Sequence, residues 1–255
     1  MSLQFNDTDT YKGLAQEYER EIGADYGDVT NSPRRLKAFA VSVNIALDDY
    51  YNIAHKSDGT WKFDDSNSEG LPEIYTDLLS TTKVYTLLTD EYGNQIYEIF
   101  KVYAKDPTTG VYKELEPVDT DSQKDLADFY DEATHTGMPT KYDKTATTLI
   151  VNSKVSSTVE DGLKVSINRS MSYFEYTDTV KKPGVPGVHH KYFFLRPAED
   201  YLRRKGGKSL KEVQTALMVM EGKDRDGAGG TIAKYYARRT KDEKPRLSMN
   251  IESCE

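Results

Sequence analysis

Cysteine is nearly absent: a single residue, Cys254, stands in 255. That excludes an internal disulfide and any thiolate metal cluster, and a reducing compartment fits best. Histidine is scarce, with four residues, and tryptophan scarcer, with one. No apolar run approaches the roughly 20 residues that span a bilayer. The opening "MSLQFNDTDTYKG" has neither a basic stretch nor an apolar segment of the kind that directs export, so a soluble, unexported chain without a membrane partner is expected. What is plentiful is tyrosine, 19 residues, a side chain with an apolar ring and a polar tip that suits half-buried strands and protein interfaces. Charged residues make up 30% and mean hydropathy is −0.71, so much of the chain is surface. The length still allows a chain to bury roughly three quarters of its unfolded surface.

Charge is unevenly spread. Residues 1–80 carry 7 Lys and Arg against 15 Asp and Glu, whereas 203–246 carry 13 against 6. That asymmetry suits ends that meet different surroundings, or each other in neighbouring copies, and equally solvated faces that merely differ in charge.

Periodicity divides the chain. "DTDTYKGLAQEYEREIG" sets Tyr11, Leu14, Ala15, Tyr18 and Ile22 on one helical face, with Asp7 to Thr10 as caps and Gly23 as the stop. "NSPRRLKAFAVSVNIALDDYYNIAHK" opens with Ser32 as cap and Pro33 at the first helical position, and its stripe of Leu36, Phe39, Ala40, Val43, Leu47, Tyr50, Tyr51 and Ala54 is broad enough for two neighbours. From Trp61 the texture becomes β: "TWKFDD", "KVYTLL", "NQIYEIFKVYAK" and "VYKELEPVD", with a turn at Pro107 and Gly110. "SQKDLADFYDEA" reads as a short helix within this region. In "GLKVSINR", Leu163, Val165 and Ile167 alternate with Lys164, Ser166 and Asn168, which predicts a sheet with one wet face.

Helical spacing returns at Tyr192, Leu195, Ala198 and Leu202, with Pro197 expected to kink or divide the helix and Gly206 and Gly207 to end it. "SLKE" from Ser209 reads as a capping box for a last secure helix through Val213, Leu217 and Met220. "EGKDRDGAGG" is expected to be a flexible joint, and "TIAKYYARRTKDEKPRLSMNIESCE" beyond it to add a basic helical turn or two before an extended tail. The expected domains are 1–59 for the N-terminal helices, 60–180 for a β-rich insert, 181–230 for the C-terminal helices and 231–255 for the tail. The fold class is α+β, with the terminal helices forming a helical bundle and an antiparallel β domain inserted between them.

Chemical sites are hard to build from these residues. His189 and His190 are adjacent, so in a helix they point about 100° apart and lack the i, i+4 spacing of helical zinc ligands. With His55 and His135 as the only others, packing at a helix start is the expected role. The acidic loop "DDSNSEGLPEIYTD" imitates a calcium loop at Asp65, Asn67, Glu69 and Gly70, but Thr76 stands where the bidentate glutamate is needed. "DRDGAGGT" lacks phosphate-loop spacing, no GxSxG elbow occurs, and Asp48 with Asp49 has no sequence reason for a raised pKa. No catalytic, cofactor or metal residue is therefore assigned, and the chain is not expected to be an enzyme. Tyr235 and Tyr236 beside Arg238 and Arg239 admit stacking on single-stranded nucleic acid, but the net charge of −8 opposes a dedicated binder.

The order of elements resembles the head-to-tail connector, or adaptor, proteins of tailed bacteriophages. The likeness runs roughly from Glu73 to Gly206 and rests on the hairpin "IYEIFKVYAKDPTTGVYKELEPVD", the step "GMPTKY", the strand "TLIV", the hairpin end "LKVSINRSMSYF" and the lead-in "PGVPGVHHKYFFLRPAEDYLRRKG". It implies a structural virion protein at the neck, assembled in the host cytoplasm, with copies forming a ring, commonly of about twelve, under the portal. The ring would extend the DNA channel without binding DNA specifically and would offer a platform to tail or neck proteins. Under that resemblance Thr231–Glu255 is the expected portal-docking arm, with Tyr235, Tyr236, Arg238, Arg239, Pro245, Arg246 and Leu247 as its contacts. A tail-side neck or tail-tube component is the neighbouring reading; a small enzyme and a nucleic-acid-binding module are the readings from other classes.

Overall fold

The computed structural model describes residues 3–57, 66–67, 72–90, 92–118, 129, 136–145, 147–222 and 229–243, with side chains of the last helix described through residue 238. The fold is α+β, and the chain divides into two compact units. One joins residues 1–67 to 171–255; the other is the continuous segment 68–170. The expected boundaries at 59/60 and 180/181 thus fall at 67/68 and 170/171. The later one moves because Met171 and Phe174 lie in the helical core.

In the first unit, α1 (Leu14–Ile22) and α2 (Pro33–Ser57) precede α3 (Tyr192–Lys205), α4 (Leu210–Glu221) and α5 (Thr231–Glu243). Helix α1 starts later than its periodicity suggests. Asp7 Oδ1 accepts the backbone N–H groups of Asp9 and Thr10, which turns the chain before the helix, and Tyr11 is left exposed at φ 57°. Gly23 ends α1 in the left-handed conformation, as expected. Along α2 every residue of the anticipated stripe is buried. Phe5 stacks between Phe39 and Phe174 at centroid distances of 5.6 and 4.9 Å, joining the N-terminal segment, α2 and the segment before α3. Each such side chain fully buried contributes about 1.5–3 kcal/mol.

Two expectations for this unit are corrected. Pro197 does not divide α3, which runs through it undivided. Flanking burial of Phe193, Phe194, Leu195 and Ala198 holds the helix together across the missing N–H. Ser209 makes no side-chain capping bond; it is already in a helical conformation, and its carbonyl accepts the N–H groups of Glu212 and Val213.

The second unit holds two four-stranded sheets. In the first, β1 (Glu73–Leu78), β8 (Val159–Arg169), β3 (Ile96–Lys105) and β4 (Tyr112–Glu114) lie in the order β1-β8-β3-β4, all antiparallel. The second has the order β2-β7-β6-β5, built from β2 (Val84–Thr86), β5 (Glu116–Pro117), β6 (Lys141–Lys144) and β7 (Thr148–Val151), with only the β5/β6 pair parallel. Leu163, Val165 and Ile167 of β8 face the core with Leu78, Val102, Leu149 and Val151. The opposite face of β8 is wet only toward Lys164; Ser166, Asn168 and Ser170 are buried, contrary to the alternation. Gly162 has a packing reason: a Cβ there would sit 2.5 Å from Leu78 Cβ, where β1 carries its register shift. The expected helix in "SQKDLADFYDEA" and the strand in "TWKFDD" lie outside the described residues, apart from buried Phe129.

Candidate functional site

The chemistry-bearing residues of the helical unit converge on the start of α3. A 3-10 turn at Gly187–His189 follows the proline-glycine lead-in and buries both histidines. His190 bridges two chain segments: its Nδ1 accepts the Leu3 N–H at 2.9 Å, and its Nε2 lies 2.9 Å from the Val185 carbonyl. Only the neutral tautomer with hydrogen on Nε2 satisfies both partners. His189 turns the other way. Its Nδ1 is 2.6 Å from the Tyr50 hydroxyl, which lies 2.9 Å from the Tyr236 hydroxyl. With hydrogen on His189 Nε2, Tyr50 donates to Nδ1 and its oxygen can accept from Tyr236; in either tautomer a hydrogen-bonded chain ties α2, the α3 start and α5.

Burial sets the electrostatics. Desolvation holds the pKa of His189 below its ordinary value, helped by the neighbouring His190 and Lys191. His190 is also lowered, chiefly by desolvation, although its hydrogen bond to the Val185 carbonyl works in the opposite sense. Desolvation likewise raises the Tyr50 phenol, with Tyr236 adding to it. The arrangement favours neutral groups; it is a structural clasp, and the expectation of packing at a helix start fits it.

The residues expected in a docking arm separate. Tyr236 is 1% exposed and belongs to the helical core together with Ile232. These two apolar positions, four apart on an otherwise polar helix, are why the anticipated tail folds back as α5. Tyr235 keeps partial exposure and sets its ring edge-on to His189, with centroids 5.1 Å apart, and Arg238 is exposed. The side chain of Arg239 and all of Pro245, Arg246 and Leu247 lie outside the described residues. The expected joint is tight at its ends. A Cβ on Gly222 would fall 2.0 Å from the Gly230 nitrogen, and one on Gly230 would fall 2.1 Å from the Met220 carbonyl oxygen. Glycine is required there for backbone to meet backbone.

Other polar groupings were not anticipated. Glu199 on α3 accepts from Arg196 at 2.6 Å, from Gln214 at 3.2 Å and from Arg203. Burial works against ionising Glu199, but the bonds from Gln214 and Arg203 outweigh it and leave its pKa lowered. In the β unit, Arg169 and Asp90 form an ion pair of 3.2 Å with both side chains 1% exposed, and the face of Tyr92 lies 5.6 Å from the guanidinium. Arg169 lies one period beyond Ile167 on the core face; its strand pattern marks that face, but nothing local marks Asp90 as its partner. Among the described residues, Arg169 Nε and Nη2 and the Asn168 amide find no hydrogen-bond partner.

Asp48 and Asp49 are structural: the Tyr173 hydroxyl donates to Asp48 at 2.6 Å and Arg196 lies 3.3 Å from Asp49. In the calcium-like loop, Asn67 donates to the Lys182 carbonyl and Thr76 lies in β1, while Asp65, Glu69 and Gly70 fall outside the described residues. A cleft of about 550 Å³ opens among α1, α2 and α3, lined by Tyr18, Phe39, Pro197 and Tyr201 with Arg35 and Arg204 at hand. Desolvation pushes the Tyr18 phenol up to about 12, so it stays protonated. No family model matches the chain, and no curated protein matches it.

Proposed function

We propose that this chain is a structural head-to-tail connector of a tailed bacteriophage, a ring component beneath the portal, in which a helical bundle carries an inserted antiparallel β domain. The observation that carries this reading is the union of residues 1–67 with 171–255 around one core, while 68–170 has a core of its own. That organisation supports the reading. A discontinuous helical unit gives a rigid body for packing copies side by side, and a separate β unit gives a second surface for a different neighbour.

In this reading portal docking falls to the C-terminal segment, to the exposed Tyr235 and Arg238 and to Arg239, Pro245, Arg246 and Leu247, which follow beyond the described side chains. Tyr236 anchors the segment inwardly. DNA passes through the ring without specific binding, because a net charge of −8 discourages adhesion to a phosphate backbone.

The test is electron microscopy of the full chain mixed with the portal ring of its own phage. A symmetric collar added to the portal is the expected result. Absence of a collar with both proteins folded would overturn the connector reading and favour a tail-side neck component.

A further inference from the structure

The cleft of the helical unit exists because α1 and α2 both pack on α3 without forming a closely packed pair with each other. Its volume of about 550 Å³ falls within the range of about 300–1,000 Å³ that holds small molecules, and gaps between bundle helices are a common place for such sites. Pro197, Tyr201, Arg204 and Lys205 line it from α3 at positions i, i+4, i+7 and i+8, which set them along one side of that helix. Pro197 breaks a local rule of helix composition, and such violations gather at functional sites.

The lining divides by chemistry. The ring of Tyr18 lies 4.6 Å from that of buried Phe39, and Tyr201 sets its ring edge-on to Tyr18 at 6.4 Å. With Pro197 these rings give the cleft an apolar wall suited to a flat partner. The Tyr18 hydroxyl forms no hydrogen bond among the described residues, while burial keeps it protonated. It is a donor in want of an acceptor.

Beside that hydroxyl stand cations that the fold does not use. Arg204 acts on Tyr18 electrostatically, and it donates only through Nε, to the Asp200 carbonyl at 3.1 Å. No described residue engages its terminal nitrogens or the Lys205 ammonium. Arg35, by contrast, is held by Asp28 at 3.3 Å. The Asp200 carboxylate lies within electrostatic reach of Tyr18 and offsets one of the two spare cations. The balance suits a ligand with a single negative charge.

We propose that this cleft binds a small aromatic carboxylate. Its ring lies against Phe39, Pro197 and Tyr201, and its carboxylate accepts from the Tyr18 hydroxyl and the Arg204 guanidinium, with Lys205 adding attraction at the rim. A cleft of this size takes a small molecule whole, whereas a protein partner would need about 800 Å² of matching surface around it. The site belongs to the chain whether or not the chain joins a portal.

The test titrates 2-naphthoate into the full-length chain by calorimetry at neutral pH, with 2-naphthamide as its uncharged counterpart of the same shape. Saturable binding at one site per chain is expected, about tenfold or more tighter for the carboxylate than for the amide. Arg204→Gln is expected to weaken it by about tenfold and Tyr18→Phe by about fivefold. Ala38→Trp places a large ring at an exposed position of the lining and is expected to abolish binding. Lys211→Gln, an exposed cation of α4 outside the lining, is expected to leave it unchanged. Ala38, Arg204 and Lys211 are all exposed, so thermal melts of these variants are expected to match the parent chain. No saturable binding below about 1 mM, equal binding of the amide, survival of binding in Ala38→Trp, or equal losses in Lys211→Gln and Arg204→Gln would each overturn the site.

Discussion

Tyr236 shows how one hydroxyl and one ring divide a residue's work. Tyr236→Phe removes the bond to Tyr50 but keeps the ring, so a loss of about 1–2 kcal/mol is expected from denaturant unfolding. Tyr236→Ala also empties a core position and is expected to cost about 3–5 kcal/mol, with hydrogen exchange rising first along α5. The histidines give a pH dependence of known sign. Both have folded-state pKa values below their ordinary value, so the unfolded chain binds more protons. Their contribution is complete above about pH 6.5 and is lost as pH falls from there through the folded-state values. Thermal melts between pH 8 and 5 are expected to show a falling Tm over that window, and a His189→Gln, His190→Asn double variant to flatten the slope while lowering stability at neutral pH. The adjacency of these histidines was legible as a helix start. Their partners were not, because Tyr50 and Leu3 are brought in by tertiary packing across 139 and 187 residues.

Among the elements, those with a strong apolar period were legible: α2, β8 and the buried face of α3 all occur where their spacing puts them. Local signals that compete with packing were misleading. Pro197 does not divide its helix, "SLKE" lacks its capping bond, and Ser166 and Asn168 lost the solvent that their alternation promised. The α5 helix was legible only as a basic turn or two, because among its described side chains Ile232 and Tyr236 alone are buried within a basic, polar run. The glycines before it were read as freedom, whereas Gly222 and Gly230 mark a backbone crossing. Gly222→Ala places a methyl group against the Gly230 backbone at φ 81° and is expected to destabilise by more than about 2 kcal/mol, read as a lower denaturant midpoint and faster exchange along α5.

For the molecule as a whole, two cores imply two separable stabilities. Leu47→Ala removes a fully buried side chain of the helical core and is expected to cost about 2–5 kcal/mol there. Hydrogen exchange is expected to quicken across α2 and α3 while the amides of Val165 and Ile167 in β8 keep their protection. Equal quickening in both units would show that they open together. The union of the chain's two ends also sets an order of events during synthesis. Helices α1 and α2 leave the ribosome with Phe39, Val43 and Leu47 bare, and the segment that covers them follows only after roughly a hundred residues, on the order of 5–20 seconds later at common elongation rates. During that wait the β unit can complete its own core, whereas the nascent helices stand as the chain's chief invitation to chaperones.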